Sequence, residues 1–288
     1  MSMPTETITD STYPALDGAG FQWLTGEGGV RPLSCRALDT AGFANAFSTR
    51  LGGCSPFPEN DLNLAGFDED SAENIYENRR RFLSVFTGEW ALEACWQVHG
   101  TSMRTVRETT APNARGEADR CDALVTNLPR VLVGVKTADC VPVVLGDTRT
   151  GACAAVHAGW RGTSQSIVAR ALERMRAEYG TRAGEVFAAI GPAALGCCYE
   201  VGAEVLEVFK ENFPADADQL FTPTREGHAR VDLHEANRRQ LLDAGVAAEN
   251  IYAAPLCTMC RTDLFFSYRR EKKVHGRTGR LLSVVGRR

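Results

Sequence analysis

Apolar runs alternate with amphipathic segments along the chain, and one long, mostly apolar stretch covers residues 131–163. Its pattern predicts a strand, a kink at residues 138–140, a second strand, a polar turn at residues 146–151, and a third strand ending at His157. In this prediction Cys140 and His157 lie at the ends of strands and not in long loops. Two side chains that bind metals well are therefore held by regular structure.

Patterns typical of strands and of helices alternate in the rest of the chain. Short apolar runs predict further strands at residues 21–24, 43–47, 123–125, 186–190 and 281–285. Helical spacing predicts a helix from about Ser71 and helices at residues 164–179, 201–213 and 233–244, three of them ended by Gly88, Gly180 and Gly245. Because strands and helices interleave, we predict an α/β protein, with a single layered α/β/α domain and a mixed sheet over residues 21–288. Residues 1–20 show neither pattern and predict a flexible N-terminal arm.

Composition narrows the class of protein. The chain has 288 residues, of which 44% are hydrophobic and 24% charged, as expected of a soluble globular protein with a sizeable core. The formal net charge of -4 gives no overall field that would attract nucleic acid or an anionic membrane. The N-terminal segment lacks the basic and apolar regions of a signal peptide, and no run approaches the roughly 20 apolar residues of a membrane helix. We expect a cytoplasmic protein with neither a nucleic-acid nor a membrane partner.

Ten cysteines are unusual in such a chain. Without a signal peptide they are expected to be thiols, metal ligands or a nucleophile and not a disulfide framework. Cys257 and Cys260 form a CxxC pair that Cys197 and Cys198 could join as a second metal site. No second CxxC accompanies the pair, so ordinary thiols are the favoured interpretation.

Three separate segments supply a possible ligand set for a catalytic metal. His99, Cys140 and His157 together offer two imidazole nitrogens and one sulfur. Catalytic zinc sites commonly use three such protein ligands and leave a fourth position open for water, whose pKa falls to about 7. Their spacing matches no compact zinc motif, so hydrogen-bonded structural histidines and a core thiol remain the alternative.

Glycine-rich segments near these residues are candidates for anion binding. Residues 51–56 form a loop whose two glycines would let backbone approach a ligand, although a simple turn explains them as well. After His157, the sequence predicts the start of a helix with Thr163 or Ser164 as N-cap, where exposed amides favour an anion. Arg161 could bind phosphate or pair with a surface carboxylate, and Trp160 could stack on a base or pack internally.

Several sequence blocks resemble the YfiH family, whose members have been named polyphenol oxidases, laccase-domain proteins and purine nucleoside phosphorylases. The blocks follow the family's order from about Phe43 to the end, and HAGWRG and CCYEVG are specific to it. They are FSTR (47–50) followed by Gly52 and Gly53, LNL (62–64), NR (78–79), QVHG (97–100), ADCVP (138–142), HAGWRG (157–162), GP (191–192), CCYEVG (197–202), CT (257–258) and FFSYRR (265–270).

The resemblance implies a YfiH-like catalytic domain over residues 21–288, with zinc held by His99, Cys140 and His157 as catalytic metal ligands. It implies phosphorolysis of adenosine, inosine, guanosine and methylthioadenosine, and deamination of adenosine. The expected partners are therefore a purine nucleoside and phosphate. For phosphate we name Arg50 and Arg161 as candidates.

Other roles rest on the resembling blocks and on side-chain chemistry. Asn63, Trp160 and Arg161 are candidate substrate-binding residues. Glu200 is a candidate catalytic base, as is Asp139, although either carboxylate could instead hold backbone or a metal ligand in place. The basic tail from Arg269 onward is a solvated face or, through Arg269 or Arg270, a contact to an anionic substrate.

Two other enzyme classes remain open. A copper polyphenol oxidase would need several imidazole-rich copper centres, for which five histidines are too few, although copper could occupy the proposed zinc site. A metal-free hydrolase acting on a peptidoglycan precursor could use Cys140 as nucleophile and His157 or His99 as base. Chelators would inhibit a metalloenzyme, whereas thiol alkylation would inhibit the hydrolase. A binding protein without activity would need no such ligand set.

Overall fold

The structure is a computed structural model that describes residues 14–56, 60–65, 70–109, 120–213 and 217–288. Of the predicted arm of residues 1–20, the first 13 lie outside these ranges. The described part begins with the short helix α1 (Pro14–Gly18), whose Leu16 is buried. None of the described helices combines the length and the apolar character needed to cross a membrane.

The described strands belong to three sheets. In chain order they are β1 (Phe21–Trp23), β2 (Leu33–Cys35), β3 (Phe43–Phe47), β4 (Ala91–Glu93), β5 (Met103–Thr105), β6 (Ala123–Thr126), β7 (Val131–Thr137), β8 (Val141–Asp147), β9 (Cys153–Ala158), β10 (Val186–Ile190), β11 (Glu200–Gly202), β12 (Phe221–Arg225), β13 (His228–Val231), β14 (Ile251–Ala253) and β15 (Leu281–Arg287). Among these residues, sheet 1 has the order β1-β2-β3-β15-β7-β4 and sheet 2 the order β14-β10-β8-β9-β6-β5. Both contain parallel and antiparallel pairs. A small antiparallel sheet has the order β11-β13-β12.

Helices cover the outer faces of sheets 1 and 2. After α1 the described helices are α2 (Arg36–Thr40), α3 (Ala72–Leu83), α4 (Trp160–Ser164), α5 (Ile167–Tyr179), α6 (Ala203–Asn212), α7 (Ala217–Leu220), α8 (Leu233–Asp243) and α9 (Tyr268–His275). Helices α5, α6 and α8 pack on one face of sheet 2, and α3 packs on the outer face of sheet 1. The inner faces of the two sheets meet in a further core that includes Val133, Val144 and Ala155.

This arrangement confirms the predicted layered α/β architecture with mixed strands. The structure adds that the central layer is double, because two sheets pack face to face between the helices. Alternation along β8 shows why: Val143 and Leu145 face the helices, whereas Val144 faces sheet 1. A strand that is buried on both faces has a continuous apolar sequence. Such a sequence does not show whether the second face packs against helices or against another sheet.

Several predicted boundaries agree closely with the structure. Strands β3 and β10 occupy the predicted residues, Ser71 caps α3, and Gly180 ends α5 in the left-handed conformation. The segment predicted as a helix at residues 201–213 begins instead with β11, and α6 follows it.

The helix predicted at residues 164–179 needs a correction. The chain forms two helices there, separated at Ser166, which has a φ of 59°. Neither Thr163 nor Ser164 is an N-cap, because both lie buried within α4, which Gly159 precedes. The helix that follows His157 therefore begins at Trp160, and it has only five residues.

Candidate metal centre

Strand pairing explains why two distant residues of the ligand set meet. Strands β8 and β9 are antiparallel, with Pro142 opposite His157, so the start of β8 lies beside the end of β9. Cys140 immediately precedes β8, at the point where the chain passes from sheet 1 to sheet 2. The predicted kink is real, because Asp139 has a φ of 87°. Cys140 and His157 are thus brought together by the sheet itself.

A buried carboxylate brings in the third residue. Asp122 precedes β6, is fully buried, and accepts hydrogen bonds from the backbone N–H groups of His99 (2.9 Å) and Gly100 (2.7 Å). Its Oδ1 also lies 2.8 Å from Nδ1 of His157. A carboxylate accepts hydrogen bonds, so this contact places the proton on Nδ1 and leaves Nε2 of His157 as the ligand atom. One side chain therefore orients both histidines.

The three side chains form a compact donor group. The ligand atoms of His99, Cys140 and His157 all lie within 4.8 Å of one another. His157 is buried, Cys140 is half-buried and His99 is exposed, so the group opens toward solvent on one side. A Cβ at Gly159 would approach Cys140 Sγ to 3.2 Å, which shows that the backbone of this glycine lies directly against the group.

The electrostatics of the group favour a thiolate. Burial raises the pKa of Cys140, but the neighbouring imidazoles of His157 and His99 outweigh burial and lower this pKa to about 6. Burial lowers the pKa of His157, but Cys140 and Asp122 together raise it to about 9. Burial also opposes ionisation of Asp122, yet the hydrogen bonds from His157 and the amides lower its pKa. The deprotonated sulfur that a metal requires is thus available at neutral pH.

A second buried carboxylate fixes the position of Cys140. Asp139 accepts hydrogen bonds from Thr258 Oγ1 (2.7 Å), Ser267 Oγ (3.0 Å) and the backbone N–H of Arg269 (2.7 Å). Burial raises the pKa of Asp139, although these donors oppose the rise. With this many donors on its oxygens, Asp139 is suited to hold the kinked backbone beside Cys140 and less suited to move a proton.

The donor group opens into a cavity of about 530 Å³. Aromatic and cationic side chains share its walls with the three ligands. The aromatic residues are Trp96, Trp160, Tyr199 and Tyr268, and the cationic residues are Lys136, Arg161, Arg269 and Arg280. The Arg161 guanidinium lies 4.3 Å from the centre of the Trp160 ring, and that of Arg269 lies 5.1 Å from the Tyr199 ring. The cavity therefore combines flat apolar surfaces with positive charge.

The structure places Arg50 outside this cavity, contrary to the role expected of it. Its guanidinium is buried and forms ion pairs with Asp61 (2.6 Å) and Glu271 (2.8 Å). It also donates to the carbonyl of Thr262 and lies over the ring of Phe266. These partners occupy the guanidinium of Arg50, which leaves it little capacity for a ligand.

Two other predicted residues also lie outside the lining of the cavity. Glu200 is at the start of β11 and forms an ion pair with Arg225 (2.9 Å) that lowers the pKa of Glu200. Asn63 is buried and accepts a hydrogen bond from the backbone N–H of Arg280 (2.9 Å). Asn63 lines a smaller cavity of about 300 Å³, which shares Tyr268 and Arg280 with the larger one. Trp160 and Arg161, in contrast, line the larger cavity.

Sequence reasoning assigned no role to several residues of the site. Asp122 follows a cysteine and precedes a short apolar strand, a context shared by many structural aspartates. Tyr199 belongs to the CCYEVG block, but only the structure places its ring in the cavity. Gln97 belongs to the QVHG block, and its amide bonds the backbone N–H of Lys136 (2.8 Å). Gln97 could therefore have been named as a site residue from the sequence, because it lies in the QVHG block that resembles the family.

The donor chemistry and its surroundings fit a metal ion. Two imidazoles and one thiolate are a donor set used by catalytic zinc, with room for a fourth ligand on the exposed side. Asp122 supplies the carboxylate that commonly orients a ligating histidine. The fold and this site together define a mixed α/β protein with a three-residue group suited to hold a metal beside a cavity of about 530 Å³.

Comparison with known proteins gives the family. Residues 44–288 match the family model described as multi-copper polyphenol oxidoreductase laccase. Purine nucleoside phosphorylase YlmD of Geobacillus stearothermophilus is 34% identical over 263 residues, which cover 89% of this chain and 94% of that protein. Adenosine deaminase RL5, from an unknown prokaryotic organism, is 43% identical over 157 residues, covering 54% of this chain and 60% of that protein. The crystal structure of a Bacillus licheniformis hypothetical protein YfiH superposes with a TM-score of 0.81 at 30% identity, covering 89% and 96% of the two chains. This chain belongs to the YfiH family.

Proposed function

We propose that this chain is a cytoplasmic, zinc-dependent purine nucleoside phosphorylase that also deaminates adenosine. Its substrates would be adenosine, inosine, guanosine and methylthioadenosine, with phosphate as the second substrate. The observation that carries the proposal is one cavity that contains the His99, Cys140 and His157 group, aromatic rings and several cations. Relatives named as purine nucleoside phosphorylase and adenosine deaminase support it.

The aromatic walls suit a purine ring. Trp96 and Tyr268 are each nearly half exposed, so their faces are accessible to a flat ligand. Stacking between a base and an aromatic side chain contributes about 1–3 kcal/mol per base and tolerates different bases. A volume of about 530 Å³ lies within the range of small-molecule sites and can take a nucleoside with phosphate beside it.

The cations suit phosphate. In phosphorolysis a phosphate oxygen forms a bond to the anomeric carbon of the ribose while the bond from that carbon to the purine nitrogen breaks. Positive charge from Arg161, Arg269 and Arg280 would hold the phosphate dianion against the sugar and offset charge near the reacting atoms. The departing purine nitrogen takes up the proton that hydrogen phosphate gives up when it forms the ester bond to the ribose.

His99, Cys140 and His157 would hold zinc at the end of the cavity formed by β8 and β9. When bound, zinc would supply Lewis acidity and a water ligand activated near neutral pH, as deamination requires. Asp122, by holding the proton on Nδ1, would leave Nε2 of His157 free to bind the metal. Asp139 keeps the backbone at Cys140 in place through its contacts with Thr258 and Ser267.

Product analysis tests the proposal. Purified protein of measured metal content is incubated with adenosine, inosine or methylthioadenosine, with and without phosphate, beside Cys140→Ala. Phosphate-dependent release of free base, lost in Cys140→Ala and retained in Cys54→Ala, supports a phosphorylase. Cys54 is a half-buried thiol outside the donor group, so it controls for loss of a cysteine. No turnover by metal-loaded protein on any of these substrates would refute the proposal.

One observation favours the alternative of a metal-free hydrolase with Cys140 as nucleophile. The lowered pKa of Cys140 beside two imidazoles also describes a thiolate nucleophile with a neighbouring base. The copper oxidase alternative rests on the description of the family model, whereas only His99 and His157 of the five histidines line the cavity.

Chelation and alkylation should give opposite results for a metalloenzyme and for a thiol hydrolase. We expect a chelator to abolish activity and zinc to restore it. Iodoacetamide should modify Cys140 rapidly above about pH 6 only after the metal is removed, because the metal occupies the thiolate. The rate of alkylation, mapped by mass spectrometry, and residual activity are the measurements. Full activity after chelation, with inactivation by alkylation alone, would favour the hydrolase.

Removing one exposed cation should weaken phosphate binding selectively. We expect Arg161→Ala to raise the KM for phosphate about tenfold, equivalent to roughly 1.4 kcal/mol, because a charge-assisted contact is lost. Arg170→Ala is the matched control, since Arg170 is an exposed arginine on α5 outside the cavity lining. Steady-state kinetics at varied phosphate give the comparison. Equal phosphate KM values in the two variants would remove Arg161 from the phosphate site.

A further inference from the structure

Four of the ten cysteines converge outside the site already described. Cys197 and Cys198 lie in the loop between β10 and β11, and Cys257 and Cys260 follow β14. All four sulfur atoms lie within 4.8 Å of one another. The sulfur of Cys197 is 3.7 Å from those of Cys198 and Cys260, and the Cys198 and Cys260 sulfurs are 3.2 Å apart.

These distances fit a single ion better than they fit other thiol chemistry. Four sulfurs placed tetrahedrally at about 2.3 Å from zinc are about 3.8 Å apart. The separations of Cys197 from Cys198 and Cys260, both 3.7 Å, are close to this value, and the 3.2 Å between Cys198 and Cys260 is shorter. A disulfide requires about 2.05 Å, and all four cysteines are free thiols. The group is also too compact to surround a cluster of several iron and sulfide atoms.

Backbone contacts hold the two loops in register. Ala193 forms a β-bridge with Cys257, and the N–H of Thr258 donates to the carbonyl of Ala193 (2.9 Å). The backbone N–H of Leu195 donates to the sulfur of Cys257 at 3.5 Å. The four sulfurs are therefore brought together by the fold and not by chance proximity of mobile side chains.

Positive charge nearby matches what four thiolates would need. A divalent ion with four thiolates carries a net charge of about -2, which requires compensation from its surroundings. Arg230 donates to the carbonyl of Cys197 (3.1 Å), and Arg270 donates to that of Met259 (3.3 Å), within the CxxC segment. Each loop of the group thus has an arginine anchored to its backbone.

We propose that Cys197, Cys198, Cys257 and Cys260 hold a structural zinc ion, closed by four thiolates and distinct from the His99, Cys140 and His157 group. Soft thiolate ligands in this number select zinc, and the absence of an open position fits a structural role. The ion would join the loop that carries Tyr199 to the loop that carries Thr258. Because Thr258 holds Asp139 beside Cys140, the second site would stabilise one wall of the cavity.

Metal content of the full chain tests the proposal independently of the proposed activity. Elemental analysis should find two zinc ions per wild-type chain, and one in each of Cys140→Ala, Cys198→Ser and Cys260→Ser. Cys54→Ser should keep both ions, since Cys54 belongs to neither group. One ion in the wild type, kept in Cys140→Ala and lost in Cys260→Ser, would still support the structural site. Retention of two ions in Cys260→Ser, or iron in place of zinc, would overturn it.

Two measurements on protein that keeps all four cysteines guard against variants that fail to fold. Cobalt substituted into Cys140→Ala should give the intense absorption of a four-thiolate site. In native wild-type protein, alkylation should spare the exposed thiols of Cys197 and Cys260 until a chelator is added. Equal labelling of Cys197 and Cys260 with and without chelator, or a disulfide between Cys198 and Cys260, would contradict the proposal.

Discussion

Replacing Asp122 by alanine is expected to lower zinc affinity at the His99, Cys140 and His157 group by about 10- to 100-fold, the usual effect of removing a carboxylate that orients a ligating histidine. The reason is that Asp122 acts on two ligands at once. It holds Nδ1 of His157 at 2.8 Å and accepts the N–H groups of His99 and Gly100. Without it, His157 is free to change tautomer and the His99 loop loses its anchor. Turnover at limiting zinc should fall with metal occupancy.

Competition with a chromophoric chelator measures the affinity, and activity at saturating zinc separates binding from catalysis. Asp147→Ala is the matched control, because Asp147 is an equally buried aspartate at the far end of β8 whose carboxylate bonds Thr150. Both variants lose buried hydrogen bonds, but only Asp122→Ala touches the ligands. If the two variants bound zinc equally well, Asp122 would have no special part in the metal site.

The sequence predicted those elements whose signals are local. Strand β10 is a five-residue apolar run, and the start of α3 has a serine cap whose side chain accepts the N–H of Asn74, so both were placed correctly. The break between α4 and α5 was not predicted, because Ser166 adopts a left-handed conformation that residues other than glycine take uncommonly. Local patterns thus predict most elements and few of their irregularities.

Site residues divide in the same way. Cys140 and His157 were recognisable because Cys140 immediately precedes one apolar strand and His157 lies at the end of another, and the antiparallel pairing of β8 and β9 brings them together. Asp122 was not recognisable, since its role depends on β6 lying beside β9, which brings it to His157, 35 residues further along the chain. The same holds for Cys197 and Cys260, which the sequence left as ordinary thiols and which the fold brings to 3.7 Å.

Arg50 is a different case. Its side chain is chemically suited to bind phosphate, but the structure places it away from the cavity. An arginine beside a glycine-rich loop is a reasonable phosphate ligand from sequence. The sequence does not show that Asp61 and Glu271, more than two hundred residues apart, both reach its guanidinium. A buried cation with two carboxylate partners stabilises the fold and has little capacity left for a ligand.

Replacing Arg50 by alanine is therefore expected to reduce stability strongly and to leave phosphate binding unchanged. Removing the cation would leave the Asp61 and Glu271 carboxylates buried without a partner, and breaking a buried ion pair in this way typically costs about 3–5 kcal/mol. Urea denaturation gives the free energy of unfolding, and kinetics on the folded fraction give the KM for phosphate.

Arg161→Ala supplies the contrasting case, because Arg161 is exposed and lines the cavity. It should lose phosphate affinity with little change in stability, whereas Arg50→Ala should lose stability with an unchanged phosphate KM. Each variant removes one guanidinium. Comparing their stabilities and phosphate KM values therefore distinguishes an arginine that stabilises the fold from one that binds phosphate. A stable Arg50→Ala protein with a raised phosphate KM would reverse this assignment and return Arg50 to the phosphate site.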